Sequence, residues 1–237
     1  MRLTILLLAA AASLTMAGCS RAEDAAFGQK VRAYLLEHPE VIEEAVQKLQ
    51  ENRQAEGVSK TRAALDKNRQ ALERDPRDFV ANPTGKITVT QFYDYRCPHC
   101  INAAPTVLSM IQRNPDVRFV FKEMPIFGDL SEHAARTAIA AKATGGDYLG
   151  LYRTLMTTKG LNDAALDRIA KEKGLQSEAG LVRSAADAQI ADVHKLAQTL
   201  NIEGTPTFII GDTVIPGEDM EGVQAAIDKA RGGSKAG

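Results

Sequence analysis

The sequence predicts an α/β fold with a helical insertion, preceded by an N-terminal helical extension. Three observations carry that prediction. First, KITVTQFYDY (Lys86–Tyr95) and VRFVFKEMP (Val117–Pro125) are rich in β-branched and aromatic residues, and read as buried strands separated by a helix-forming segment. Second, Ser131 to Leu200 is mostly helical in character. Third, TPTFII and DTVIPG read as two more strands around Gly211-Asp212, a hairpin turn, before a last helix from about Met220 to Ala230.

The elements follow in chain order. Arg2 and the apolar run LTILLLAAAASL (Leu3–Leu14) open the 237 residues. About a dozen apolar residues are too few to span a bilayer, which needs about 20, but they suit the core of an export signal. LTMAGC (Leu14–Cys19) then sets small residues before a cysteine. It resembles the bacterial lipobox, which implies that Cys19 is lipidated and becomes the first mature residue. Ordinary cleavage is the weaker alternative, since no clean A-x-A site follows. The expected divisions are an export signal over 1–19, a helical extension and linker over 20–83, and an α/β domain over 84–231 with its helical insertion at about 129–200.

After a polar tether (Ser20–Ala26), Phe27 to about Arg74 is charged and helix-forming. Pro39 suits a first helical turn, and Val41, Ile42, Ala45, Val46 and Leu49 then share one face. Val58, Leu65 and Leu72 recur at heptad spacing. Stripes this narrow suit a helix–helix seam, so a homo-oligomer, dimer or trimer, is expected. DPRDFVANPTG (Asp75–Gly85) has turn chemistry and reads as a linker. Within the second strand, Lys122 and Glu123 cannot both face solvent if that strand is central. A strand-end position is expected for them, the alternative being a buried charge that moves protons. Phe92, Tyr93 and Tyr95 read as core and rim, and Met124 and Pro125 as the end of the strand.

Composition narrows the function. Twenty-nine basic and 30 acidic residues give a net charge of -1, which excludes a polyanion such as nucleic acid as the natural partner. Three cysteines are too few for a disulfide-stapled scaffold. With Cys19 assigned to export, one pair remains, Cys97 and Cys100, in a compartment where disulfides persist.

A helix starting at Cys97 puts the two sulfurs about one turn apart on one face, close enough to bridge. Unpaired amide hydrogens and the helix dipole favour negative charge there, which makes Cys97 the thiolate nucleophile. Pro98 is tolerated at the first helical position, and His99 can donate to the sulfur or add positive charge. Cys100, one turn inside, is the expected resolving thiol. A structural bridge across so small a loop would remove little chain entropy. Zinc normally takes four ligands, and His38, His133 and His194 lack ligand spacing, so no metal is assigned. A copper- or zinc-binding role for Cys97, Cys100 and His99 is the alternative from another functional class.

GTPTF (Gly204–Phe208) supplies a second motif about a hundred residues later. It resembles the thioredoxin-fold cis-proline loop, in which Pro206 faces the disulfide and the backbone of Thr205 pairs with the substrate chain. Together FYDYRCPHC, the helical insertion and GTPTF resemble the DsbA-like family of periplasmic thiol-disulfide oxidoreductases, over about Thr84–Ala230. YLLEHPEVIEEAVQKLQ resembles the N-terminal extension of its ScsC branch, which has oligomeric members. The resemblance implies a thioredoxin fold and a redox-active disulfide Cys97–Cys100 with no other cofactor. It also implies exported protein substrates bearing thiols or disulfides, a membrane-bound redox partner and a periplasmic location. Thr205 stands where the main oxidases carry valine, and threonine is common in isomerases. Oxidation and isomerisation therefore both stay open.

Overall fold

The computed structural model describes residues 24–175 and 179–233. The expected export signal over 1–19, with Cys19, lies outside the described residues. Five strands form one sheet: β1 (Phe79–Ala81), β2 (Ile87–Tyr93), β3 (Val117–Glu123), β4 (Thr207–Ile210) and β5 (Thr213–Pro216), in the order β1-β3-β2-β4-β5. β2 and β3 run parallel, with Tyr93 opposite Glu123, and the other pairs are antiparallel. Every residue of β3 is buried, as a central strand covered on both faces must be. The β4–β5 turn is two residues, Gly211 and Asp212, with Gly211 at φ +58°. Glycine enters that left-handed region without the steric cost of a Cβ.

β1 corrects one expectation. Asp75–Gly85 is not wholly linker, because Phe79, Val80 and Ala81 pair with Phe121, Val120 and Phe119. Three residues are too few to show alternation against the surrounding turn signals.

The helices are α1 (24–37), α2 (Glu40–Lys67), α3 (Arg69–Glu73), α4 (Pro98–Arg113), α5 (Asp129–Ala143), α6 (Tyr148–Thr157), α7 (Asp163–Glu172), α8 (Ala179–Thr199) and α9 (Met220–Gly233). Parallel strands need a crossover, and α4 is that crossover between β2 and β3. Strand residues alternate between two cores. Val89, Tyr93, Phe119 and Phe121 pack with Cys100, Val107, Leu151, Tyr152, Val223 and Ile227 from α4, α6 and α9. Phe92, Met124 and Ile209 pack on the other face with Leu65, Leu72, Val193 and Leu196. None of the described helices is long and apolar enough to cross a membrane.

The chain divides into two units, 1–59 and 60–237. In the first, Ile42, Val46, Leu49 and Val58 are exposed, as are Phe27 and Tyr34. In the second, Leu65 and Leu72 are 0% exposed. That corrects the expectation of a second oligomer seam at Val58, Leu65 and Leu72. Two of the three are core residues of the α/β unit, because a heptad repeat on amphipathic helices looks the same whichever apolar surface receives it. Polar contacts reinforce this packing. Arg118 donates to the carbonyl of Glu73, and Arg69 donates to the carbonyl of Gly211 at 2.8 Å.

Candidate active site

Cys97 is the N-cap of α4, in an extended conformation (φ -69°, ψ 120°), and Pro98 takes the first helical position. A missing amide hydrogen there costs no intrahelical bond. The carbonyl of Cys97 accepts from Ile101 N at 3.0 Å, which starts the helix, and Cys97 N donates to the carbonyl of Asp94 at 3.3 Å. Pro105 lies inside α4, eight residues beyond Cys97. Both thiols are free and buried; Cys97 keeps 2% of its surface and Cys100 none. Burial pushes the Cys100 thiol well above the ordinary range, since no solvent remains to stabilise its thiolate. Cys97 Sγ donates to the carbonyl oxygen of Thr205 at 3.1 Å.

The Thr205–Pro206 bond is cis, and both residues are buried where the loop enters β4. The carbonyl of Pro206 accepts from Gly217 N at 2.7 Å, which ties this loop to the end of β5. Thr205 Oγ1 is buried and has no partner at bonding geometry, although it lies close enough to Cys100 to favour its thiolate. Cys97, Cys100, Thr205 and Pro206 therefore meet at one point. His99 is placed differently from the expectation. Its ring is 65% exposed, and Nδ1 lies 3.2 Å from Glu218 Oε1. The sulfur of Cys97 takes its hydrogen-bond partner from the Thr205 loop instead.

Two features of the site were not singled out in the sequence. Asp94 is buried and accepts from Arg96 N at 2.6 Å, Ile126 N at 2.6 Å, Phe127 N at 3.1 Å and Ser131 Oγ at 2.9 Å. It thereby holds the segment leading to Cys97 against the loop after β3, where Ile126 and Phe127 are exposed. Glu218 faces His99 from the loop between β5 and α9. Glu123, which the sequence did single out, is ringed by three tyrosines that carried no local signal.

Lys122 and Glu123 are the last two residues of β3, as the strand-end reading expects, but the strand end is itself buried and so are both side chains. Successive strand residues point to opposite faces, so each needs its own solution. Lys122 Nζ pairs with Asp78 and donates to the carbonyl of Ala71 at 2.5 Å. Burial raises Asp78 to about 6 despite that ammonium. Glu123 faces the other core, where its Oε1 accepts from Tyr93 at 2.5 Å, Tyr148 at 2.6 Å and Tyr95 at 3.1 Å. Desolvation outweighs those three donors and raises Glu123 to about 8.

Comparisons with known proteins agree with this geometry. The family model described as Thioredoxin matches residues 76–229, and the copper resistance protein ScsC N-terminal domain matches residues 23–56. A thioredoxin-like oxidoreductase from Silicibacter pomeroyi DSS-3 is similar at 38% identity and TM-score 0.63, over 69% of this chain and 98% of that one. Proteus mirabilis ScsC in a transitional conformation is similar at 27% identity and TM-score 0.66, over 84% of this chain and 90% of that one. The Na(+)/H(+) antiporter NhaA 1 of Salinispora arenicola is 29% identical over 68% of this chain, but the match covers 26% of the antiporter. The chain thus spans about a quarter of that curated relative. A five-stranded sheet carrying a cysteine pair at a helix N-terminus against a cis-proline loop has its match here: the chain belongs to the thioredoxin family, among the DsbA- and ScsC-like proteins.

Proposed function

We propose that this protein is a periplasmic enzyme that exchanges disulfides with exported proteins through the pair Cys97 and Cys100. One observation carries the reading: the Cys97 thiol, at the N-terminus of α4, meets the Thr205 carbonyl beside cis-Pro206. The Cys97 thiolate attacks a substrate disulfide, forms a mixed disulfide and expels the first substrate thiolate. Cys100 then loses its proton and attacks the Cys97 sulfur. The Cys97–Cys100 disulfide forms, the second substrate thiolate leaves, and the substrate has gained two electrons. Read backwards, the same steps oxidise a substrate dithiol. If a second substrate thiolate attacks the mixed disulfide before Cys100 does, the bond is shuffled without net redox change.

The thiol of reduced Cys97 occupies the Thr205 carbonyl, and a disulfide sulfur cannot donate. Oxidation therefore frees that carbonyl to accept from a substrate backbone, so substrate pairing follows the redox state. A membrane-bound redox partner resets the pair, and a lipid on Cys19 would hold the enzyme near it. The exposed stripe of Ile42, Val46 and Leu49 lies in the segment that matches the ScsC N-terminal domain. Burying it against other copies makes a homo-oligomer, whose several sites raise the effective concentration of Cys97 around one misbridged substrate. That arrangement favours shuffling.

The test is equilibration of the purified protein with glutathione and glutathione disulfide. A defined two-electron equilibrium, lost in Cys97→Ala, is expected. A protein that does not exchange with glutathione but binds copper or zinc stoichiometrically would replace this reading with a metal-binding one.

A further inference from the structure

Charge is distributed unevenly around the crevice that holds Cys97. No lysine, arginine or histidine occurs between Lys195 and Lys229, although the whole chain carries 29 basic residues against 30 acidic ones. The carboxylates in that stretch are Glu203, Asp212, Glu218, Asp219, Glu221 and Asp228. Two of them are neutralised. Asp212, at the tip of the β4–β5 hairpin, pairs with Arg62 at 3.2 Å and Arg69 at 3.0 Å, and Asp228 on α9 pairs with Arg231 at 2.8 Å. Glu203, Glu218, Asp219 and Glu221 flank the opposite end of the hairpin. All four are exposed, and none pairs with a lysine or arginine among the described residues.

That end borders the reactive sulfur. Glu203 stands two residues before Thr205, whose carbonyl accepts from Cys97 Sγ at 3.1 Å. Gly217 N, one residue before Glu218, donates to the carbonyl of Pro206 at 2.7 Å, and Glu218 reaches across to His99 Nδ1 at 3.2 Å. Helix physics accounts for two of the four carboxylates. Asp219 accepts from Gly222 N at 2.8 Å at the start of α9, and Glu221 lies in the first turn, where the helix dipole favours negative charge. It does not account for Glu218, or for Glu203, which has no polar partner among the described residues. The facing lip compensates little: Arg96 donates to the carbonyl of Phe127 at 2.6 Å, and His99 already meets Glu218. Between the two glutamates, Thr205 is 9% exposed and its hydroxyl has no bonded partner, so the crevice presents polar groups as well as a sulfur.

We infer that Glu203, Glu218 and Asp219 make this lip a specificity element, which selects substrate segments with lysine or arginine about two residues from the reactive cysteine. The inference rests on the thiol-disulfide reading above. A substrate chain that takes the Thr205 carbonyl runs extended along residues 204–206, with its cysteine at Cys97. Strand residues advance about 3.3 Å each, so a position two residues from that cysteine lies about 7 Å along the chain, the same offset that separates Glu203 from Thr205. A lysine or arginine there lays its apolar stem on the lip and sets its charge among the carboxylates. Glu218 then trades an exposed contact with His99 for one with the substrate. Each exposed ion pair contributes at most about fivefold, and the summed field also speeds the encounter with a cationic segment. A carboxylate at the same substrate position is repelled. These three residues touch no sulfur; they act on which substrate cysteine reaches Cys97.

The test follows oxidation of two-cysteine peptides by the oxidised full-length protein, with acid quench and mass spectrometry. The peptides differ only at the positions two residues from each cysteine, which are lysine, glutamine or glutamate. Each rate is divided by the rate of the same peptide with a neutral small disulfide, which removes the effect of the flanking charge on the peptide's own thiols. At low salt the lysine peptide should exceed the glutamate peptide by about tenfold, and about 0.5 M salt, which shortens the reach of the field to a few ångströms, should bring the ratio to about two. Glu203→Gln, Glu218→Gln and Asp219→Asn combined should lower the ratio as far at low salt, the asparagine keeping an oxygen for Gly222 N. Glu203→Gln alone, at an exposed residue, should lower it about twofold and decides the matter if the triple variant does not fold. A native ratio near one, or one favouring glutamate, overturns the proposal, as does a native preference that survives the substitutions. If the glutamine peptide is not oxidised at all, the thiol-disulfide reading fails and this inference with it. If it is oxidised and the charged peptides behave alike, this inference alone fails.

Discussion

Replacing Leu72 by alanine tests where the α/β unit begins. Leu72 belongs to α3, ahead of the strands, yet it is 0% exposed and packs with Leu65, Phe92, Met124, Val193, Leu196 and Ile209. Six apolar residues of one cluster, on two strands, two helices and the residue after β3, leave little room for collapse into the gap. The cost should therefore sit within the roughly 2–5 kcal/mol seen for leucine-to-alanine changes in cores, at about 3 kcal/mol. For a unit of this size each kcal/mol lowers the melting temperature by about 2–4 °C, so a fall of about 6–12 °C is expected. Thermal unfolding of the full-length protein by circular dichroism measures it. Val46→Ala, at an exposed position, is the control and should leave the α/β transition within about 0.5 kcal/mol. Truncation sharpens the point: removing residues through 59 should leave the α/β transition in place, whereas removing them through 83 takes Leu65, Leu72 and β1 and should abolish it. If Leu72→Ala melts like the native protein, the packing of α3 on the sheet is wrong.

Further outcomes follow from single contacts. The raised affinity of folded Glu123 for its proton adds stability below about pH 4.5 that is lost as pH rises through about 8. Glu123→Gln should thus gain relative to the native protein by on the order of a few kcal/mol between pH 5 and 9, read from urea unfolding at each pH. Glu218→Gln removes the carboxylate 3.2 Å from His99, and with it support for positive charge near Cys97. Both side chains are substantially exposed, so the glutathione equilibrium should move toward the oxidised protein by no more than about fivefold. Val46→Glu puts charge into the exposed stripe and should lower the mass found by light scattering while leaving the glutathione equilibrium unchanged.

Much of this architecture was legible because its signals are local. β2 and β3 announced themselves by β-branched runs, the β4–β5 hairpin by Gly211-Asp212, and the cysteine pair by its spacing. Thr205 and Pro206 were legible through a motif, although nothing local says that their loop meets Cys97 across about a hundred residues. What stayed hidden depends on contacts distant in sequence. β1 carries three residues, too few for a period. Leu65 and Leu72 obey the same helical periodicity whether they face another copy or their own sheet. Lys122 and Glu123 do end their strand, but nothing local says that the strand end is buried. Each is met by groups far along the chain, Asp78 for one and Tyr93, Tyr95 and Tyr148 for the other. His99 turned to Glu218, a partner 119 residues away.

The most direct measurement is covalent trapping. Cys100→Ala leaves Cys97 able to attack and leaves nothing to resolve the product. Expressed from its full sequence and recovered under acid quench, this variant should carry exported proteins joined through Cys97, released by reductant and identified by mass spectrometry. Cys97→Ala should carry none. A Cys100→Ala protein recovered without adducts, or with adducts on a residue other than Cys97, would contradict the account.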